Sequence, residues 1–127
     1  MNSESMKAAL LVTKALADLQ RVRILMLLQG GELCVCQIVE VLALAPSTIS
    51  KHLSVLSAAG LADFRKEGRW AYYSLPEGAS GLLVCPVLKW LRDALKNDEA
   101  VAKDAQKLKA VVACKPESLC RRQRGCA

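Results

Sequence analysis

Aromatic side chains are scarce in this chain: one Phe, two Tyr and two Trp make up 4% of 127 residues. With 53% apolar residues, the core must be built from Leu, Val, Ile and Ala, which suits packed helices better than a β-sandwich. Histidine is limited to His52, and there is neither a Cys-x-x-Cys nor a Gly-rich phosphate loop. An enzyme such as a thiol-dependent reductase therefore lacks its usual parts, with no general base beyond His52. No apolar run approaches a membrane span. Met1–Ser5 is polar and Ala8–Val12 too short for a signal peptide, so a cytoplasmic protein without membrane contact is expected. There is no internal repeat and no low-complexity tract. In a reducing cytosol the six cysteines (Cys34, Cys36, Cys85, Cys114, Cys120, Cys126) are expected to be thiols serving metal binding or redox sensing, not structural disulfides.

What the chain does have is positive charge, net +6 with a pI near 9.1, which points to an anionic partner. Residues 113–127 hold Lys115, Arg121, Arg122 and Arg124 against Glu117 alone. These arginines suit phosphate contact and plain solubility equally. The length suits one domain, divided as a folded unit over 1–112 and a basic, Cys-containing tail over 113–127, expected to be flexible unless a metal orders it.

The stretch Glu32–Leu61 organises the rest. Val35, Ile38, Val39 and Leu42 recur at helical spacing, as do Ile49, Leu53 and Leu56 after a break at Ala43–Ala45. Two short helices joined by about three residues form a helix-turn-helix. Pro46 suits the first turn of the second helix and Gly60 its C-terminal cap. That leaves Ser47, Thr48, Ser50, Lys51, His52 and Ser54 as polar positions suited to base edges and phosphates in a major groove. His52 reads as a DNA or packing contact, not a metal ligand.

Helices are expected over Met6–Ala17, over Leu19–Leu28 behind an Asp18 cap, over Leu82–Leu95 with Pro86 in its first turns, and beyond Asp98, where Val101, Ala105, Leu108 and Val112 repeat. Leu61–Arg65 and Trp70–Leu75 are β-prone and flank Lys66–Arg69, a turn with Gly68 near its tip. A hairpin directly after a recognition helix is a wing whose Arg65, Lys66 and Arg69 could reach DNA; the plainer reading is a solvated hairpin with charges that block edge pairing. The expected fold is mainly α with a small β-hairpin wing, in the order α-α-α-α-β-β-α-α. Apolar surplus on the terminal helices points to a two-fold homodimer on double-stranded operator DNA.

Five segments in order, Ala15–Leu28, Glu32–Cys36 (E-L-C-V-C), Ser47–Leu53 (S-T-I-S-K-H-L), Leu56–Leu61 and Gly68–Leu75 (G-R-W-A-Y-Y-S-L), resemble the ArsR/SmtB family of winged-helix metalloregulators, and within it the arsenic-responsive repressors. The resemblance covers about residues 8–76. It implies a homodimeric repressor that holds its operator when metal-free and releases it on binding arsenic(III), or antimony(III), with no catalytic cofactor and no small organic substrate. One departure stands out. The best-known arsenic repressors carry C-V-C-x-x-C, and here the last position is Val39. Trivalent arsenic is expected to take three soft thiolates, so Cys34 and Cys36 need a partner, with Cys114 or Cys120 the first choice. Some relatives use a terminal arm of the other subunit and others bind arsenic wholly within C-terminal cysteines, so an all-tail site is the second choice. Cys85, in an apolar stretch, reads as core, and Cys126 stays open. The family's zinc site needs histidine on the C-terminal helix, where this chain has none. Arsenite, methylated arsenite, antimonite and cadmium all remain open as the inducer, and disulfide formation is an alternative trigger.

Residues two apart on a helix point roughly 200° apart, whereas in extended backbone they share a side. Metal binding at Cys34 and Cys36 is therefore expected to need an unwound first turn ahead of Gln37.

Overall fold

The structure, a computed structural model, describes residues 3–114 together with Leu119 and Gln123. Its elements are α1 (Ser3–Leu16), α2 (Leu19–Leu28), β1 (Leu33–Cys34), α3 (Val35–Leu42), α4 (Pro46–Ala58), β2 (Asp63–Glu67), β3 (Trp70–Ser74), a 3-10 turn over Gly78–Gly81, α5 (Cys85–Ala94) and α6 (Glu99–Val112). The three strands form one antiparallel sheet in the order β1-β3-β2. α3 and α4 are the helix-turn-helix and β2–β3 the wing.

Local chemistry sets these boundaries. Asp18 is extended, and its Oδ1 accepts the amides of Gln20 (2.8 Å) and Arg21 (3.2 Å), which starts α2. α3 stops at Ala43, which takes the left-handed conformation (φ 55°) and donates to Val39 O at 2.9 Å. α4 begins with Pro46 in its first turn. It ends where Gly60 (φ 77°) donates to Ser57 O and Leu61 to Leu56 O, a Schellman closure whose accompanying apolar pair, Leu56 and Leu61, is fully buried. Asp98 caps α6 by accepting from Val101 N at 3.0 Å.

Ile24, Leu25, Ile38, Ile49, Leu53, Leu56 and Leu61 have no exposed surface and form the centre of the core. Truncating one such leucine to alanine costs about 2–5 kcal/mol. α6 lies across α2 and α3 of its own chain, and Arg23 fastens it there with two 2.8 Å bonds to Asp104.

Three expectations need correction. The expected order omitted β1, which at two residues has no period to read; it exists because β3 runs beside it. On α6 the buried residues are Asp104 and Val111, while Val101 and Leu108 are half-buried and line a cleft of about 420 Å³ against α2. Part of the surplus apolar surface is therefore used within the chain. Cys85 is exposed at the start of α5, since Val84, Leu88 and Leu91 take the inward positions. Among the described residues no helix is long and apolar enough to cross a membrane.

Candidate inducer and DNA-binding sites

Cys34 is the last residue of β1 and also the N-cap of α3. Its backbone is extended (φ −74°, ψ 146°), and its amide donates to Gln37 Oε1 at 2.9 Å. Cys36 is already helical. This break in conformation turns both side chains to one side, and their Sγ atoms lie 3.0 Å apart. The expected unwinding is therefore unnecessary: the helix starts one residue after Cys34, so the pair converges with α3 intact. Ion–sulfur bonds of about 2.3 Å need a pair only slightly wider than this, and two soft donors suit a soft ion.

Both thiols are buried, at 2% and 3% exposure. The Cys34 thiol is nevertheless lowered to about 6. The Cys36 S–H bond to the Cys34 sulfur is the largest cause; burial opposes it, and amides at the start of α3 add to it. The anion is held by a neighbouring thiol and a helix N-terminus.

The pair touches both arms that would meet DNA. Cys34 pairs with Tyr72 in β3, so the thiol segment shares a sheet with the wing. α3 packs on α4. A cavity of about 180 Å³ opens beside the sulfurs, bounded by Val39, Pro46 at the head of α4, Arg69, Trp70 and Ala71 of the wing, and Gln123.

Of two described tail residues, one enters the core and the other reaches the thiol segment. Leu119 is fully buried in the core, and Gln123 Nε2 donates to Cys36 O (2.8 Å) and Glu40 Oε2 (3.1 Å). Cys114 is exposed beyond α6, its thiol 3.8 Å from Ala110 O. Cys120 and Cys126 lie outside the described residues, as do Lys115, Arg121, Arg122 and Arg124. Among the described residues no three His, Cys, Asp or Glu side chains gather as a metal site.

On α4, Ser47, Thr48, Ser50, Lys51 and Ser54 are exposed while Ile49, Leu53 and Leu56 face the core. His52 is half-buried, its Nδ1 3.3 Å from Arg21 Nη1. Arg21 is itself held by Ala15 O (2.8 Å) and Lys14 O (3.1 Å). A guanidinium only donates, so this contact uses Nδ1 as its acceptor. His52 thus ties the recognition helix to α2.

In the wing, Gly68 (φ 61°) makes the turn, with Lys66 near the end of β2 and Arg69 beside Gly68. Arg65 is not at the tip. It stands mid-strand opposite Tyr72, bonded to both Glu32 oxygens at 2.7 Å and to Glu67 at 2.8 Å, with its guanidinium 4.6 Å from the Tyr72 ring centre. Two carboxylates already hold its charge, raising the Arg65 pKa and lowering that of Glu32. The Glu32–Arg65 and Arg21–His52 pairs and the Gln123 contact carry no sequence signal, because each joins residues distant along the chain.

Comparison with known proteins gives the family and the fold. Residues 18–63 match the model of the bacterial regulatory protein, arsR family. The arsenic resistance transcriptional regulator ArsR1 of Pseudomonas putida is 41% identical over 100 residues, 77% of this chain and 75% of that protein. A cadmium resistance transcriptional regulatory protein CadC homolog of Staphylococcus aureus is 45% identical over 67 residues, 52% of this chain and 55% of that one. Among solved structures, the homodimeric winged helix-turn-helix DNA-binding domain of a possible ArsR-family transcriptional regulator from Mycobacterium bovis aligns with a TM-score of 0.63 at 28% identity, covering 76% of this chain and 86% of that one.

Proposed function

The chain belongs to the arsR family of DNA-binding transcriptional regulators and is no enzyme, and from that premise we propose that it is a cytoplasmic homodimeric repressor released from its operator by arsenic(III). The observation that carries this is the position of Cys34, ligand-ready beside Cys36 and hydrogen-bonded into the wing sheet at the head of the helix that supports α4. Metal-free, α4 reads the major groove through Ser47, Thr48, Ser50, Lys51, His52 and Ser54, and Lys66 and Arg69 extend the contact from the wing. Exposed Met6, Leu10 and Leu11 on α1 and Leu83 and Trp90 around α5 support a dimer through these terminal helices.

Cys34 and Cys36 supply two thiolates, and the chemistry of three soft donors suits arsenic(III), or antimony(III). Leu119 and Gln123 flank Cys120 in sequence and are packed against the body, which favours Cys120 over Cys114 as the third ligand. Ligation widens and fixes the sulfur pair, and β1 and α3 pass that shift to the wing and α4. A coupling of about 1–3 kcal/mol gives about 5–150-fold release.

The test is fluorescence anisotropy of labelled operator DNA, with arsenite titrated into wild type and Cys34→Ser. Release of the wild type alone supports this reading. Equal release of both assigns sensing to the tail, and no release from either rejects arsenite as the inducer. The 3.0 Å sulfur separation also favours a redox reading, since closure to the roughly 2.05 Å of a disulfide is a small movement. Operator release by a mild oxidant, with loss of two hydrogens between Cys34 and Cys36 by mass spectrometry, would establish it.

A further inference from the structure

Val101, Ala105, Leu108 and Val112 form a regular stripe on α6, and with Met26 and Leu33 they wall the cleft of about 420 Å³ between α6 and α2. The stripe is not sealed: Val112 is 49% exposed, and Ala105 is exposed as well. No wall residue belongs to α1 or α5, the helices proposed for the dimer, so that dimer does not use these walls. Charge selects the occupant. The charged side chains on the walls are Glu32, Asp104 and Lys109. Each carboxylate is already matched by a guanidinium through two bonds, Asp104 by Arg23 and Glu32 by Arg65. Among the described residues the Lys109 ammonium has no carboxylate at ion-pair distance. A cationic ligand would meet a carboxylate only by displacing an arginine, and a neutral one would leave the ammonium unmatched.

We infer that this cleft is a second effector site, for a linear amphipathic carboxylate whose chain lies along the α6 stripe and whose head meets Lys109. The volume falls within the range of about 300–1,000 Å³ usual for small-molecule sites, and apolar walls with a single unmatched polar group are their usual chemistry. Val101 and Val112 stand about 16 Å apart along the helix axis, which suits an extended chain better than a compact ring. Binding stands on this geometry, and only its effect on DNA rests on the repressor reading. Glu32 and Leu33 form the wall on the side of the wing. Leu33 pairs with Tyr73 of β3, Glu32 holds Arg65 of β2, and Cys34 follows directly in the chain. A chain seated against them bears on the wing without touching the thiols, which are absent from these walls.

The experiment uses the full chain with carbon-13 in its methionine methyl groups, and decanoate as the probe. Met26 lines the cleft, and its methyl NMR signal, one of three, reports occupancy there. Decanoate should shift that signal saturably, in Cys34→Ser as in wild type. Octanoate should bind roughly tenfold more weakly, the loss expected for two buried methylenes. Lys109→Glu, an exposed substitution, should weaken decanoate by about fivefold, the scale of an exposed ion pair, and leave decanol close to wild type. Ala105→Trp fills the trough from an exposed position and should abolish the binding of both. Anisotropy of labelled operator should then change severalfold in affinity with decanoate, and by less in Lys109→Glu at the same concentration. No Met26 shift with decanoate overturns the inference, as does a Lys109→Glu variant that binds it as tightly as wild type. A Met26 signal that moves with protein concentration alone gives the cleft to a second copy of the chain and also overturns it. A saturable Met26 shift with unchanged operator affinity rejects the effector role. Failure to bind operator at all would instead sink the repressor reading and leave the Met26 result to decide the site.

Discussion

Arg65 and Glu32 meet through two 2.7 Å bonds, one to each carboxylate oxygen, although 33 residues separate them. Glu32 stands two residues before Cys34, and Arg65 lies in the wing. The pair therefore ties the thiol segment to the outer wing strand, beside the backbone pairing of Cys34 with Tyr72. Glu32→Gln should leave melting temperature and arsenite affinity close to wild type while shrinking the arsenite-induced loss of operator affinity. Anisotropy with and without arsenite checks this, and an unchanged ratio would show that coupling runs through α3 alone.

Arg69 and Arg65 should differ on DNA. Arg69→Ala should weaken operator binding across sequences and reduce the slope of log K against log salt by about 1, as for a lost phosphate contact. Arg65→Ala should leave that slope nearly unchanged because Glu32 and Glu67 already hold the charge. Salt titrations of both variants give the comparison.

The Cys34 thiol, at about 6, sits below its ordinary value of 9.0. A folded-state value depressed in this way adds stability as pH rises from about 6 towards 9, holds it fully above 9, and loses it as pH falls through about 6. The stability difference between wild type and Cys34→Ser should therefore grow with pH across that window. Urea unfolding at several pH values measures it. Cys36→Ala, which removes the donating S–H, should return the midpoint for Cys34 alkylation towards the ordinary range.

Asp104, almost fully buried, accepts two bonds from Arg23. Removing one partner of a buried pair typically costs about 3–5 kcal/mol. Asp104→Ala should fall near the lower end, because Arg23 keeps its bond to Gln20. Denaturant unfolding reads the loss, and a shift in the arsenite response would show that α6 bears on the thiol region as well.

Gly60 makes the turn out of α4 at φ 77°, with nothing within 4 Å of an added Cβ. Gly60→Ala should cost about 1–2 kcal/mol from backbone conformation alone, measured by thermal unfolding with operator contacts unaltered.

The sequence alone determined the helices, the helix-turn-helix and the wing, because apolar spacing, Asp18, Pro46, Gly60 and Gly68 act within a few residues of where they stand. It also singled out Cys34 and Cys36 from their proximity in the chain. Tertiary structure decided how those thiols converge. Pairing with β3 holds Cys34 extended at the edge of α3, so an intact helix presents both sulfurs on one side. Only folding could assign Arg65 to Glu32, Arg23 to Asp104, Arg21 to His52 and Gln123 to Cys36. Each of these bonds closes across distant segments, where its energy depends on packing geometry that no local spacing encodes.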